Sequence, residues 1–553
     1  MESLRLFGSV SIASLRDYGR HGLRDDSVAA LVVWASLVPA ALAFAAVAGV
    51  PGWVGLVSVV PGLALYALFG GSNQLVMSPV ALIAVISAAI VGPRAGGDGF
   101  RYLAMTSALA MLVGVLLSLV AVLRWSFIAT FVPESVLLGL SVGLGIAICI
   151  GQLPALLGME QPTDGNSLQQ VRRVLSHLSE IDTGAALIGG LGLVVMICVR
   201  RWVPVVPSAL LAVLIGVGCG HLFGIGIGNP DPFAAIPGKA LRIGPPSVGL
   251  HDYADMLVPA IGLALVSLAS TFRSPTPGDA APKVSSNREV VALAAANLGS
   301  GLISGMIVSG TTASVICGRR THFSTRIGGL FVAVSTVFAL PFASPILTAL
   351  PRTVPAAIAV VLVGALIGPA ALRLFRARPF DSDHADRRIA WIEFAAAVVV
   401  GTVTVALGVL AGLVATVGLS ALLLLVGSAH PNVVRVPAER ATDPIPFAPA
   451  GPGITVARLA SPLHFANAEF VRDRIMAICS VAEPRIVVLD AMATGSVDVS
   501  AAQMLTGLHT ELASAGIQLR IAHPEGSVRS ALDEWSFTSE TLRVYASLEE
   551  ALS

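Results

Sequence analysis

The sequence predicts an all-α, polytopic membrane domain followed by a small α/β domain. Of the 553 residues, 55% are hydrophobic and only 12% are charged, so most of the apolar surface cannot be buried in a water-soluble globule. Between Ser27 and Val426 there are about fourteen apolar stretches. Each stretch has about the length of one membrane span, which requires roughly 20 residues. After Ile454 the pattern changes to short β-branched runs that alternate with amphipathic segments, which is typical of an α/β domain.

The N-terminal segment, residues 1–26, is amphipathic and rich in arginine. The apolar run that follows it is too long for a cleavable signal peptide, so we interpret residues 1–26 as a cytoplasmic lead-in and residues 27–427 as the membrane domain. With fourteen spans, the positive-inside rule places both termini in the cytoplasm and the chain in the plasma (inner) membrane. The arginines that carry this prediction are Arg5, Arg16, Arg20, Arg24, Arg200, Arg201, Arg319, Arg320, Arg326, Arg373, Arg376, Arg378, Arg387 and Arg388, whereas Arg172 and Arg173 disagree with it.

The segment after the last apolar run is predicted to be a linker. Residues 428–453 contain six prolines and no hydrophobic period, which is typical of an extended chain. Residues 454–553 then read as strand, helix, strand, helix, strand and two further helices. About 100 residues suffice for an independent hydrophobic core.

Two stretches of the membrane domain are interrupted by small and polar residues at corresponding positions of its two halves. They are "GGSNQLVMSPVALIAVI" (70–86) and "GMIVSGTTASVICGRR" (305–320). Paired interruptions of this kind indicate a transporter with inverted repeats and a site near the midplane. We expect each stretch to form a re-entrant strand that leads into a half-helix, because irregular backbone is tolerated where it lines a polar cavity.

Such half-helices could bind a small anion. A helix that starts after Pro79, and another near Thr311, would each direct unpaired amides and the positive end of a dipole into the cavity. Ser78, Ser309 and Thr312, together with Thr311, could add hydroxyl donors. The alternative is that these hydroxyls bond within their own helices and that Pro79 only kinks one.

Other classes of protein find little support in the sequence. The five cysteines have no metal-binding spacing, and a net charge of +1 does not suggest a nucleic-acid partner. No nucleophile with a base, metal cluster or cofactor loop is apparent, so we expect neither an enzyme nor a cofactor.

The chain resembles the SulP sulfate-permease family of anion transporters. The likeness begins at "LVPAALAFAAVAGVPGWVGL" (37–56) and continues through 70–86, "FVPESVLLGLSVGLGIAICIGQLPALLG" (131–158) and "NREVVALAAANLGSGLISGMIVSGTTASVICGRRT" (287–321). The C-terminal domain is similar to the family's STAS module in "PLHFANAEFVRDRI", "IVVLDA" and "SVDVSAA". The resemblance implies fourteen spans in two inverted seven-helix repeats, a core and a gate domain, two half-helices and a homodimer.

The sequence departs from the family at three substrate positions. Ala40 stands where the family commonly has glutamine, Ser270 aligns with a glutamate, and Ala313 begins a pair that is often Ser-Arg. We found carboxylates in the apolar segments only at Glu134 and Glu393, so coupling through a carboxylate at position 270 is doubtful. The expected substrate site comprises Ala40, Ser78, Pro79, Val80, Ser270, Ser309, Gly310, Thr311, Thr312 and Ala313.

Three residues of the STAS-like domain are candidates for regulation. Asp490 ends a strand, and Ser500 matches the phosphorylatable serine of related anti-sigma-factor antagonists, next to Asp498. The alternative interpretation is that Ser500 is an ordinary helix N-cap. The domain could also bind a cytoplasmic protein partner.

The leading hypothesis is a secondary transporter of sulfate, bicarbonate or a dicarboxylate, working by alternating access. One alternative is a non-transporting scaffold or signalling protein that keeps the fold, which the three missing polar residues support. A nucleobase transporter of the same architecture is less favoured, because such proteins as a rule lack a STAS domain.

Overall fold

The computed structural model describes residues 20–159, 166–203, 206–223, 243–272, 286–317, 323, 325, 327–376, 384–429, 433–436, 453–459, 461–492, 494–524, 528–529 and 543–553. The chain divides into two compact units, Met1–Ser420 and Ala421–Ser553.

In its described residues, the first unit is helical apart from one pair of short strands. The strands are β1 (Leu75–Ser78) and β2 (Ser309–Thr312). The helices are α1 (Arg20–Val47), α2 (Gly52–Phe69), α3 (Ala81–Ala95), α4 (Gly99–Val122), α5 (Glu134–Leu156), α6 (Ser167–Ser176), α7 (Thr183–Trp202), α8 (Ser208–Phe223), α9 (Leu250–Phe272), α10 (Ser286–Leu302), α11 (Ala313–Cys317), α12 (Ile327–Ala349), α13 (Thr353–Arg376), α14 (His384–Leu407) and α15 (Val409–Ala429), with 3₁₀ turns at Ser126–Phe131 and Leu178–Glu180.

Most of these helices suit a bilayer. Among the described residues, seven are long and apolar enough to cross one, and five more are shorter apolar helices. Besides the short helix α6, the described part of the unit contains fourteen helices, as many as the spans that the sequence led us to expect. Fully exposed apolar side chains such as Val122, Leu187 and Phe338 are then lipid-facing residues.

The helices pack in two groups. In the core group, α10 lies against α4 and α2, α12 against α2 and α1, and α9 against α4, with α3 and α11 beside them. In the gate group, α13 and α14 pack on α5, while α13 and α8 pack on α7. Helix α1 carries much of the contact between the groups, through α13 and α8.

Small residues let the helix backbones approach one another, as is common in membranes. A Cβ on Gly114 of α4 would lie 2.7 Å from the backbone nitrogen of Leu298 in α10, and one on Gly139 of α5 would overlap the carbonyl group of Ala397 in α14. The glycine-rich composition of the chain therefore serves helix contact within each group.

The second unit is a five-stranded sheet with helices on both faces. The strand order is β3-β4-β5-β6-β7, with β3 antiparallel to β4 and the other pairs parallel. The strands are β3 (Val433–Val436), β4 (Ile454–Leu459), β5 (Ile486–Asp490), β6 (Gln518–Ala522) and β7 (Arg543–Tyr545), and the helices are α16 (Ala468–Ala482), α17 (Val499–Ser514) and α18 (Leu548–Leu552).

Alternation along the strands supplies both cores of this unit. Leu489 and Ile521 point to the core formed with α16 and α17, while Val488 and Ala522 point to the smaller core formed with α18. The predicted small α/β domain is thus confirmed.

The structure adds two strands that the sequence did not suggest. β3 lies inside the segment predicted as a linker, residues 428–453, and β7 follows the predicted helix "SVRSALDEW" (527–535), of which only residues 528–529 are described. The boundary between the compact units falls within α15. The exact domain limits, 1–26, 27–427, 428–453 and 454–553, stay predictions.

Candidate functional site

The chain leaves helical structure before α3 because of Pro79. Proline has no amide N–H and forces the preceding residue, Ser78, towards extended backbone. Val80, also extended, is the N-cap of α3 and makes no side-chain capping bond. The first bond of the helix runs from the amide of Ala84 to the carbonyl of Val80 at 2.9 Å. The amides of residues 81–83 therefore have no intrahelical acceptor.

The two interrupted stretches meet. β1 and β2 are antiparallel, with Ser78 opposite Ser309 and Leu75 opposite Thr312. The ladder continues into the second half-helix, because the amide of Ala313 donates to the carbonyl of Gln74 at 3.1 Å. Helices α3 and α11 therefore begin at opposite ends of one short ribbon, about 10 Å apart along the strand, and both positive ends face it.

A cluster of hydroxyl groups connects this ribbon to α9. The buried Ser309 Oγ lies 3.2 Å from Ser267 Oγ, 3.3 Å from Ser270 Oγ and 3.2 Å from Thr271 Oγ1. The amide of Gly310 donates to Thr271 Oγ1 at 3.1 Å. The structure thus brings Ser270 to the ribbon, where the family alignment placed it. Sequence reasoning missed Ser267 and Thr271, although their spacing puts them on the same face of α9 as Ser270.

Thr312 differs from the other hydroxyl residues of the ribbon. Its side chain is 1% exposed, and its Oγ1 has no hydrogen-bond partner within the described part of the chain. A buried hydroxyl without a partner is unfavourable. Thr312 is therefore a candidate to donate a hydrogen bond to a ligand oxygen.

The remaining predicted residues are buried around the two helix starts. Ala40 of α1 belongs to an apolar cluster that also contains Ala81 and Ala84 of α3. Ala313 lies in a second cluster, with Val76 of β1. Pro79, Gly310 and Thr311 are buried, and Val80 is half-buried. The side chain of Ser314, the second residue of the pair that begins with Ala313, lies outside the described residues.

One buried carboxylate corrects the sequence analysis, which counted only Glu134 and Glu393. Glu289, in the first turn of α10, is 5% exposed. It accepts hydrogen bonds from Tyr66 Oη at 2.8 Å and from the amide of Gly71 at 2.9 Å. Arg288 Nε donates to the carbonyl of Phe69 at 3.1 Å, at the end of α2. Both side chains thereby hold the turn between α2 and β1. No local pattern in the sequence indicates that Glu289 contacts this turn.

The regulatory candidates lie in the second unit and do not form one site. Asp490 Oδ2 is paired with Arg458 Nε at 2.8 Å, and its Oδ1 lies 3.4 Å from His523 Nδ1. Asp498 is the N-cap of α17 and accepts from the amide of Ala501 at 2.8 Å. Ser500 is an exposed residue in the first turn of α17. The alternative that Ser500 is itself the N-cap is therefore wrong, because Asp498 fills that position.

Replacing Asp498 with alanine should destabilise the second unit. The carboxylate also accepts from the amide of Phe465 at 2.7 Å, so the change removes the acceptor of two amides. We expect a loss of about 1–2 kcal/mol in the free energy of unfolding, measured by urea denaturation of the full chain followed by far-UV circular dichroism. Ser500→Ala is the matched control, and an equal loss there would contradict the assignment of the cap.

Comparison with known proteins agrees with this architecture. The model of the sulfate permease family matches residues 23–383, and that of the STAS domain matches residues 448–551. A probable sulfate transporter of Mycobacterium tuberculosis (MT1781) is 30% identical over 537 residues, which cover 94% of this chain and 93% of the relative.

Solved structures show the same fold. The murine anion transporter Slc26a9, described in the inward-facing state, superposes with a TM-score of 0.79 at 18% identity and covers 99% of this chain and 94% of its own. The transmembrane domain of the cyanobacterial bicarbonate transporter BicA gives a TM-score of 0.61 at 23% identity and covers 72% of this chain and 98% of its own.

Proposed function

We propose that this chain, which belongs to the sulfate permease family of membrane anion transporters, moves a small oxyanion across the plasma membrane by alternating access. Sulfate, bicarbonate and a dicarboxylate are the candidate substrates. The observation that carries the proposal is the antiparallel pairing of β1 with β2, which directs the starts of two half-helices towards one ribbon. The names of the relatives support the substrate class, since they include a sulfate transporter and a bicarbonate transporter.

The ribbon can hold an anion without a basic side chain. The start of α3, a 15-residue helix, carries the equivalent of about half a positive charge, and the first amides of the five-residue α11 add donors at the other end of the ribbon. The unpaired amides of residues 81–83 and the hydroxyl of Thr312 supply donors of the kind that bind sulfate and carboxylate oxygens. The hydroxyls of Ser267, Ser270 and Thr271 hold β2 in place.

The proposed mechanism is exchange or uniport. Ser270 lies at the ribbon where the family alignment expects a carboxylate, and it bonds to a hydroxyl, Ser309, and to its own helix. Glu289 bonds to the turn before β1. Ser270 carries a hydroxyl and not a carboxylate, and the carboxylate of Glu289 is bonded to the turn before β1. Neither residue therefore offers a free carboxylate at the ribbon that could carry a coupled proton or sodium ion.

Uptake into proteoliposomes tests the proposal. Purified protein is assayed with labelled sulfate, bicarbonate and fumarate, each at several pH values and with or without sodium. We expect uptake of at least one anion that does not depend on a proton or sodium gradient. Uptake that requires a proton gradient would contradict the mechanism. Absence of uptake for all three would favour the second candidate, a scaffold, which the loss of polar groups at Ala40, Ser270 and Ala313 supports.

Replacing Thr312 with valine should separate binding from stability. The change removes a hydroxyl that has no partner among the described residues, so the melting temperature should stay the same or rise. The apparent KM should rise about tenfold, because one hydrogen bond to a charged ligand is worth about 1.5–3 kcal/mol. Thr336→Val is the matched control: Thr336 is equally buried, but its hydroxyl bonds to the carbonyl of Val332 in its own helix. Equal KM values for both variants would contradict the placement of the site.

We further propose a homodimer with both termini in the cytoplasm. Size measurement of the detergent-solubilised protein tests the first part, and protease access to the STAS unit in inside-out vesicles tests the second.

Phosphorylation of Ser500 remains a proposal supported by its exposure in the first helical turn, where a phosphate is favoured by the helix dipole.

A further inference from the structure

A cavity in the first unit is lined by both helix groups. From the core group, it is lined by Ser36 of α1 and Cys317 of α11, and from the gate group by Arg200 of α7, Ser208 of α8 and Leu362 of α13. Under the proposed topology, the ends of α7 and α11 lie on the cytoplasmic side. The cavity therefore lies between core and gate, on the side of α11 that faces away from the ribbon.

Within the described part of the chain, the arginine and serine side chains of this cavity have no hydrogen-bond or ion-pair partner. Arg200 is half-buried, and no carboxylate lies within ion-pair distance of it in the described part of the chain. Ser36 and Ser208 are buried as residues, at 7% and 8% exposure, and neither makes a hydrogen bond within the described residues. An unpaired guanidinium at the edge of a membrane cavity is costly, and such charges mark ion pathways.

We propose that this cavity is a second anion site, an antechamber in which Arg200 and the hydroxyls of Ser36 and Ser208 hold a small oxyanion between the cytoplasm and the ribbon. The proposal rests on the proposed function of the chain. Arg200 presents a forked donor set that suits sulfate, bicarbonate and carboxylate oxygens. It supplies, from the gate group, a basic side chain that the start of α11 lacks, since the chain has Ser314 where the family alignment often has arginine.

The position of the cavity gives it a role in transport. Because its walls belong to both groups, a movement of the gate relative to the core changes its width. An anion drawn to Arg200 is then concentrated next to α11 while the cavity is open to the cytoplasm. Positive charge in a narrow opening raises the local anion concentration and the rate of association, and salt screens the effect.

Transport kinetics of Arg200→Gln provide the first test. With substrate added at the cytoplasmic face, in inside-out vesicles, we expect the apparent KM to rise about fivefold, the factor that one charge at about 4 Å in water provides, and its dependence on ionic strength to weaken. Arg201→Gln is the matched control, since Arg201 is the adjacent arginine but is exposed and does not line the cavity. Arg200→Lys should retain part of the effect.

Thiol labelling tests the antechamber without any transport. Cys317 lines the cavity, so a variant with Cys149, Cys198, Cys219 and Cys479 replaced by alanine leaves one reporter thiol. An anionic and a cationic methanethiosulfonate are applied from the cytoplasmic face to wild-type and Arg200→Gln backgrounds. We expect the ratio of anionic to cationic labelling rates to fall about fivefold in Arg200→Gln and to stay constant in Arg201→Gln. Sulfate should slow the labelling in the presence of Arg200.

The two assays separate the two proposals. Wild-type protein that moves no anion, but whose Cys317 labelling ratio still depends on Arg200, would refute the transport function and keep the anion site. Transport in which Arg200→Gln matches both wild type and Arg201→Gln, with an unchanged labelling ratio, would overturn the antechamber.

Discussion

Glu289→Ala is expected to lower the stability of the membrane unit and to reduce transport at least tenfold. The carboxylate is the acceptor for the hydroxyl of Tyr66 and the amide of Gly71, which hold the turn between α2 and β1. Removing it leaves two donors without an acceptor in a buried region, at a cost of about 3 kcal/mol. Because β1 begins four residues after Gly71, the loss also loosens the ribbon itself. Thermal unfolding in detergent and anion uptake measure the two effects.

The controls for Glu289 distinguish its bonds from its charge. Glu393→Ala removes an exposed carboxylate from α14 and should change neither measurement. Tyr66→Phe removes one of the two donors and should cost about 1–2 kcal/mol. Glu289→Gln keeps an acceptor oxygen, so we expect an intermediate loss. If Glu289→Gln abolished uptake at wild-type stability, the residue would have a role as a charge, and its assignment as an anchor of the turn would fail.

Gly310→Ala is expected to abolish transport. A Cβ at this position would lie 2.5 Å from Thr271 Cγ2 and 3.3 Å from Met77 Cε. Real side chains do not tolerate the first of these distances, so either β2 or α9 must move, and the hydroxyl cluster around Ser309 separates. Uptake should fall below a hundredth of the wild-type rate, since a displacement of about 1 Å at a binding site costs on the order of 100-fold in rate.

A second substitution tests this explanation. Thr271→Ser removes the methyl group that clashes but keeps the hydroxyl that accepts the amide of Gly310. Alone, it should leave uptake near the wild-type rate, and combined with Gly310→Ala it should restore a measurable part. Gly92→Ala is the matched control, because nothing lies within 4 Å of a Cβ there. A double variant as inactive as Gly310→Ala would show that the steric explanation is wrong.

Much of the fold follows from local features of the sequence. The lengths of the apolar runs predicted a polytopic helical unit, and the alternation after Ile454 predicted the α/β unit. Ser78-Pro79 predicted the break before α3, because proline acts on its own neighbours. Local residues also led to the expectation that each interrupted stretch forms a strand followed by a half-helix. The structure has this form in β1 followed by α3 and in β2 followed by α11.

Other parts of the candidate site could not be predicted. The family alignment identified Ser270 as a site residue, but its neighbours Ser267 and Thr271 were missed. Serine and threonine in a membrane helix usually bond to their own backbone, so their presence alone did not indicate a contact with the ribbon. Residues 433–436 lie in a segment predicted as a linker because residues 428–453 contain six prolines and no hydrophobic period. The strand forms because β4 offers an unpaired edge, which a local pattern does not reveal.

The sequence by itself determined a polytopic membrane unit with two interrupted segments and a C-terminal α/β domain, because composition, periodicity and proline act over neighbouring residues, whereas the SulP-type transport function came from the resemblance of its motifs to that family. Only the tertiary structure decided which groups meet: Ser78 with Ser309, Glu289 with a turn 218 residues earlier in the chain, and Arg200 with a cavity between core and gate. It also decided that the hydroxyl of Thr312 has no hydrogen-bond partner in the part of the chain that the structure describes. Contacts of this kind depend on how distant helices pack and on which polar groups that packing leaves unsatisfied, and the residues along one segment do not encode either.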